Sequence, residues 1–158
     1  MIPNLIIGGA AASKRHGGAG GITAIDYLGS VILTGTSGSH SAAEYWPFGT
    51  VERDDLSAVD AGSAPYTTIT IPSGTHLIVF NWRPRDGNAT DSYTDLAVKL
   101  DGATIASHIN HYGYYAADGV GGAYPVEGGE TLGAYFTSNS APTAPSGDSR
   151  FSVDFYGE

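Results

Sequence analysis

The sequence predicts an all-β fold, an antiparallel β-sandwich or jelly roll, with an extended N-terminal arm. Three observations carry this reading. Turn formers abound while lysine, glutamate and leucine are scarce: 23 glycines and 8 prolines stand beside a single methionine, a poor composition for helices. Short β-rich runs recur, with turn signals between them roughly every 8–12 residues. The closing segment alternates cleanly, with Phe151, Val153 and Phe155 on one face and Ser152, Asp154 and Tyr156 on the other. The length of 158 residues fits one domain. Residues 1–21 read as the arm and 22–158 as the sandwich.

Each element follows from local pattern. Ile2, Leu5, Ile6 and Ile7 give the arm an apolar patch, and the glycine-rich stretch behind it acts as a tether. Residues 22–34 hold two β-rich halves that meet at Gly29-Ser30, so a hairpin or a bent strand is expected. Residues 35–65 are loop-rich, with an acidic patch at Glu52, Asp54 and Asp55 and one short helical turn near Ser41 to Tyr45. Thr67, Ile69 and Ile71 alternate with Thr68 and Thr70, as in a half-buried strand. Pro72-Ser73-Gly74 turns the chain into Thr75–Trp82, apolar on both faces and therefore a central strand. Leu96, Val98 and Leu100 mark the next strand, and Asp101-Gly102 is a hairpin turn leading to residues 103–107. Residues 108–124 form a tyrosine- and glycine-rich loop. A turn at 125–129 precedes a strand marked by Leu132, Ala134 and Phe136. About eight strands result.

Composition excludes whole classes of function. The net charge is −9, and nucleic-acid binding needs cationic surface to release phosphate counterions; Lys14, Arg15 and His16 are the one basic cluster. No cysteine is present, which rules out disulfides and thiolate metal sites. Apolar runs are too short to span a bilayer. The first residues lack a basic stretch ahead of their apolar part, so an uncleaved arm is expected rather than a signal peptide.

The second half resembles the C1q/TNF-like jelly roll, including its versions on phage fibres and spikes. The resemblance rests on four segments: residues 70–80, where a proline/glycine turn opens an aromatic strand; the hairpin at 98–105; the turn at 124–132, where Gly129-Glu130 stands in for the family's Gly-Asp; and the closing strand at 151–157. The first 60 residues carry no match. The resemblance implies a homotrimer packed around a three-fold axis and a role in binding or assembly. With the short arm, it implies a virion structural protein of a tailed phage: a capsid decoration, head-spike or fibre component on the particle surface, joined to other virion proteins through the arm. The competing reading is a lectin-like carbohydrate-binding module not tied to a virion.

Few constellations invite chemistry. His108 and His111 are spaced as a helical ligand pair, yet their neighbours read as loop or strand end. Asp86, Asn88 and Asp91 place oxygen ligands at alternate positions, but Asp91 and Ala97 occupy the positions where an EF-hand needs glycine and glutamate. A looser calcium site or an ordinary capped turn remains there, and no other cofactor is expected. His111, Tyr112, Tyr114 and Tyr115 form an aromatic surface, either a subunit interface or a platform for host polysaccharide. Trp46 is grouped with that surface-like set, while Trp82 and Phe80 read as core. Asp54-Asp55 and Glu127/Glu130 read as solvated turn carboxylates. No Gly-x-Ser-x-Gly elbow and no phosphate loop occurs, so a catalytic role is not expected.

Overall fold

The computed structural model describes residues 25–35, 43–60, 62–83, 94–110, 119–138 and 149–158. Among them run ten strands and no helix: β1 (Asp26–Thr34), β2 (Ala43–Tyr45), β3 (Thr50–Asp54), β4 (Ile69–Thr70), β5 (Thr75–Arg83), β6 (Thr94–Leu100), β7 (Ala103–Asn110), β8 (Val120–Pro125), β9 (Thr131–Ser138) and β10 (Arg150–Gly157). One sheet runs β3-β1-β10-β5-β8. The other runs β2-β9-β6-β7, with β4 also pairing β9. Every strand pairing is antiparallel. The arm at 1–21 lies outside the described residues.

The core forms because alternate residues of both sheets point inward. Val31 and Leu33 of β1, Phe151, Val153 and Phe155 of β10, and Ile78, Phe80 and Trp82 of β5 meet Leu96, Val98, Leu132, Ala134 and Phe136 from the opposite sheet. All are buried. Burying a side chain of this kind stabilises by about 1.5–3 kcal/mol each. At one end Trp46 packs edge-on against both Trp82 and Phe136, with ring centroids 5.9 Å and 5.4 Å apart. Phe48 stacks on Phe151 at 6.0 Å.

Two turns show why particular residues stand where they do. Asp101 and Gly102 both adopt positive φ, 46° and 82°, the requirement of a two-residue hairpin whose twist matches its strands. Asp101 also ties the hairpin to β9: its Oδ1 accepts from the Thr131 N–H at 2.8 Å, and its own N–H donates to the Thr131 carbonyl at 2.8 Å. In β1 the register shifts between Tyr27 and Gly29. A Cβ on Gly29 would lie 2.9 Å from both Asp55 Cβ and Leu56 Cγ, so the bulge needs glycine there.

Several expectations need correction. Residues 22–34 form no hairpin; the bent-strand alternative holds, as β1 with its bulge. The loop-rich 35–65 stretch contains two strands, and the part of the expected helical turn that is described, Ala43–Tyr45, is β2. It pairs with Thr137, Phe136 and Tyr135, so sheet hydrogen bonding overrides weak local propensity. The half-buried strand at 66–71 shrinks to Ile69–Thr70, with Tyr66 making an isolated bridge to Phe48. The 108–124 loop is partly strand at both ends: His108 and Asn110 belong to β7, and 120–124 to β8. Trp46 is core, 2% exposed. It reads as surface because its neighbours in sequence are loop residues; tertiary packing alone buries it.

Candidate assembly face

The candidate attachment, aromatic-platform and calcium residues fall outside the described residues: Ile2, Leu5, Ile6 and Ile7 of the arm; His111, Tyr112, Tyr114 and Tyr115 of the aromatic loop; Asp86, Asn88 and Asp91 of the oxygen-rich loop. The described surface offers a different site. It is the outer face of the sheet β3-β1-β10-β5-β8.

Register determines which residues share that face. Tyr27, Tyr156, Leu77 and Pro125 lie in one cross-strand row. Ser30, Asp154, Val79 and Ala123 form the next, and Ile32, Ser152, Asn81 and Gly121 a third. Arg150 and Arg83 close the far end. The face thus grades from an apolar, aromatic end to an arginine end. Tyr27 is 51% exposed and meets Tyr156 edge-on at 5.7 Å. Leu77, Val79 and Ile32 are half-buried, while Ala123 and Pro125 are exposed. An isolated exposed apolar residue needs no explanation, but a contiguous set spanning four strands does.

The outer face of the second sheet is built differently. Asp95, Ala97 and Lys99 of β6 stand beside Thr137, Tyr135 and Gly133 of β9. Tyr135 meets Tyr45 edge-on at 5.3 Å, and Lys99 Nζ lies 3.4 Å from the Tyr135 ring centre. The ammonium therefore covers one aromatic face, leaving no open platform on that side of the ring.

Charge on the assembly face is nearly balanced, although the chain carries −9. Three of the four basic side chains among the described residues, Arg53, Arg83 and Arg150, stand on this sheet's outward side. Arg53 Nε donates to Asp55 Oδ2 at 2.8 Å, and Arg150 Nη1 lies 3.3 Å from Glu52 Oε2. Asp154 sits in mid-sheet, and burial among its neighbours pushes its carboxyl above the ordinary value, an effect that Arg53 opposes. The Tyr156 phenol is pushed up as well, first by burial and then by the Asp154 charge.

Three of the carboxylates read from sequence as solvated also hold backbone or side-chain donors, while Glu127 is exposed as expected. Asp54 accepts from the backbone N–H groups of Ala58 and Val59 at 2.8 Å and 2.9 Å. Asp55 accepts from Arg53 and from the Ser30 N–H at 3.0 Å, and Glu130 Oε2 accepts from the Glu127 N–H at 2.6 Å. The Arg53 guanidinium first, then the Ser30 N–H, holds the Asp55 carboxyl below its ordinary value. The stabilisation from Asp55 is therefore complete above the unfolded value of about 3.9. It is lost as pH falls through the lower folded value. Asp55→Asn is expected to flatten the acid-side decline of stability below about pH 4, read from urea midpoints across that range; parallel curves for the two proteins would remove this role. No group of three or more His, Cys, Asp or Glu side chains able to hold a metal occurs among the described residues.

No protein-family model matches the chain, and no curated protein matches it. Solved structures do. The crystal structure of murine APRIL at pH 8.5 superposes with a TM-score of 0.53 at 11% identity, covering 80% of this chain and 98% of that one. The crystal structure of pika GITRL covers 80% of this chain and 95% of its own, with a TM-score of 0.45 and 12% identity. At such identity the APRIL likeness speaks for the fold alone. The two antiparallel sheets, the central closing strand and this superposition make the chain a C1q/TNF-like jelly roll.

Proposed function

We propose that the chain is a non-catalytic structural module that assembles as a homotrimer through the outer face of the sheet β3-β1-β10-β5-β8. Within that reading it is a virion protein of a tailed phage or phage-like particle: a capsid decoration, head-spike or fibre component displayed on the surface. Residues 1–21 attach it to other virion proteins.

One observation carries the assembly: the inequality of the two outer faces. One carries the Tyr45–Tyr135 pair beside Asp95, Thr137 and Lys99, with the Lys99 ammonium lying over the Tyr135 ring. The other presents Tyr27, Tyr156, Leu77, Val79, Ala123 and Ile32 in contiguous rows. Its near-neutral charge makes it the side on which copies of an acidic chain approach with least repulsion. Five strands span about 19 Å and an eight-residue strand about 26 Å, a flat area of about 500 Å², the scale of a small interface rather than of a standard one with about 800 Å² per partner. The three-fold symmetry and the virion setting rest on the family resemblance and the arm, and the fold by itself does not specify them.

Light scattering on the full chain tests the assembly. Three copies of 16.3 kDa give a particle of about 49 kDa. A species of one-chain mass at high protein concentration overturns the trimer. Deleting residues 1–21 should leave that trimer intact and abolish co-sedimentation with particles. Retained particle binding would remove the attachment role of the arm.

A further inference from the structure

We propose that assembly through this face is gated by pH, with the Asp154 carboxyl as the gate: copies associate more tightly when that group is protonated. The inference rests on the assembly face described above and adds its regulation.

The geometry places one carboxylate in the middle of the surface that must be dried. Asp154 lies cross-strand from Ser30 on β1 and from Val79 on β5, and Val79 in turn pairs with Ala123 on β8. Along β10 its same-face neighbours are Ser152 and Tyr156. The other titratable or charged groups toward it are Tyr27 of β1, and Arg53 and Asp55 at the β3 edge. The Tyr156 phenol is pushed above its ordinary value and carries no charge in the working range. Arg53 is the sole cation in this set, and Asp55 in its own chain already engages it at 2.8 Å. Among the described residues, Asp154 therefore enters an interface without a counter-ion of its own.

A carboxylate desolvated without a partner is costly, and the usual response is to take up a proton. Each face-to-face contact also brings a second copy of the same charge nearer. Raised affinity for the proton in the single chain shows the start of this effect, and closing the face extends it. By linkage, a trimer that takes up one proton per copy gains up to about a thousandfold in its association constant for each unit fall in pH above the carboxyl's free value.

Sedimentation equilibrium of the full chain between roughly pH 4.5 and pH 8 tests the proposal. Wild type should associate more tightly as pH falls, and Asp154→Asn should associate tightly at every pH with the dependence gone. A slope that persists in Asp154→Asn overturns the gate. Wild-type association constants that are equal across the range also overturn it while leaving the face intact. Monomers of both proteins at every pH overturn face and gate together. Asp154→Ser serves as the neutral replacement where Asp154→Asn fails to fold, judged by far-ultraviolet circular dichroism.

Discussion

Trp82→Ala is expected to lower the free energy of unfolding by about 3–5 kcal/mol, the range for removing a large buried aromatic. In a domain of this size that shifts the melting midpoint downward by about 10 °C or more. Trp82 is wholly buried and lies edge-on to Trp46, which itself lies edge-on to Phe136 of the other sheet. The ring thus joins the two layers, and its removal leaves a cavity that two stiff sheets cannot collapse to fill. The indole adds a second, opposing contribution. Its Nε1–H is buried without a hydrogen-bond partner among the described residues, a loss of about 1–3 kcal/mol for an orphaned donor. Trp82→Phe removes the orphan while keeping most of the ring, so it should cost clearly less than Trp82→Ala. Thermal or urea unfolding of both variants checks the order. Equal losses would mean that the bulk of the ring does not set the cost.

The ease of assigning Trp82 to the core from sequence, and the failure to assign Trp46 there, have one physical cause. Trp82 ends a run with strict two-residue alternation, Ile78, Phe80, Trp82, and that period alone faces it inward. Trp46 follows the three-residue β2 and has no such period to reveal it. Its burial depends on Phe136, some ninety positions later in the chain. The same contrast runs through the fold. β5, β6, β9, β10 and the Asp101-Gly102 hairpin were legible because turn chemistry and alternation are local. β2 and β3 were not, because such short strands exist only where a long partner strand satisfies their backbone groups. The acidic patch misled for a related reason. Asp54 and Asp55 look like solvated turn residues until the chain folds their acceptors onto the N–H groups of Ala58, Val59 and Ser30. The assembly face was half visible. Thr75–Trp82 is apolar on both sides, which led correctly to an interior strand between β10 and β8. Both sides of an interior strand are usually apolar because both are covered. In β5 one apolar row meets the core, and the other, Leu77 and Val79, is half-buried on the outer face, with no strand of the described residues laid over it.

That uncovered row yields the second large expected effect. Val79→Lys should convert the assembly to monomers at concentrations where wild type is associated, while leaving the fold as stable as wild type within about 1 kcal/mol. The two halves of this expectation have separate causes. In the single chain Val79 is half-buried on the outer face and lies opposite Asp154. A lysine there gains an opposite-charge cross-strand neighbour worth about 0.2–1 kcal/mol, which offsets the loss of a β-branched residue. Its flexible stem can lie along Leu77 and Ala123 with the ammonium in water. In the assembly no such escape exists. The ammonium and the Asp154 carboxylate must both be dried between copies, and a buried ion pair in place of apolar packing costs about 1–4 kcal/mol. Association should weaken by about a hundredfold or more, since each 1.4 kcal/mol is tenfold. Light scattering reads the mass and urea unfolding reads the fold. A stable Val79→Lys that still associates as tightly as wild type would place the contact elsewhere on the molecule. Lys99→Glu, on the outer face of the opposite sheet, is the control: it changes the charge by two units away from the assembly face, and the mass of the assembly should not move.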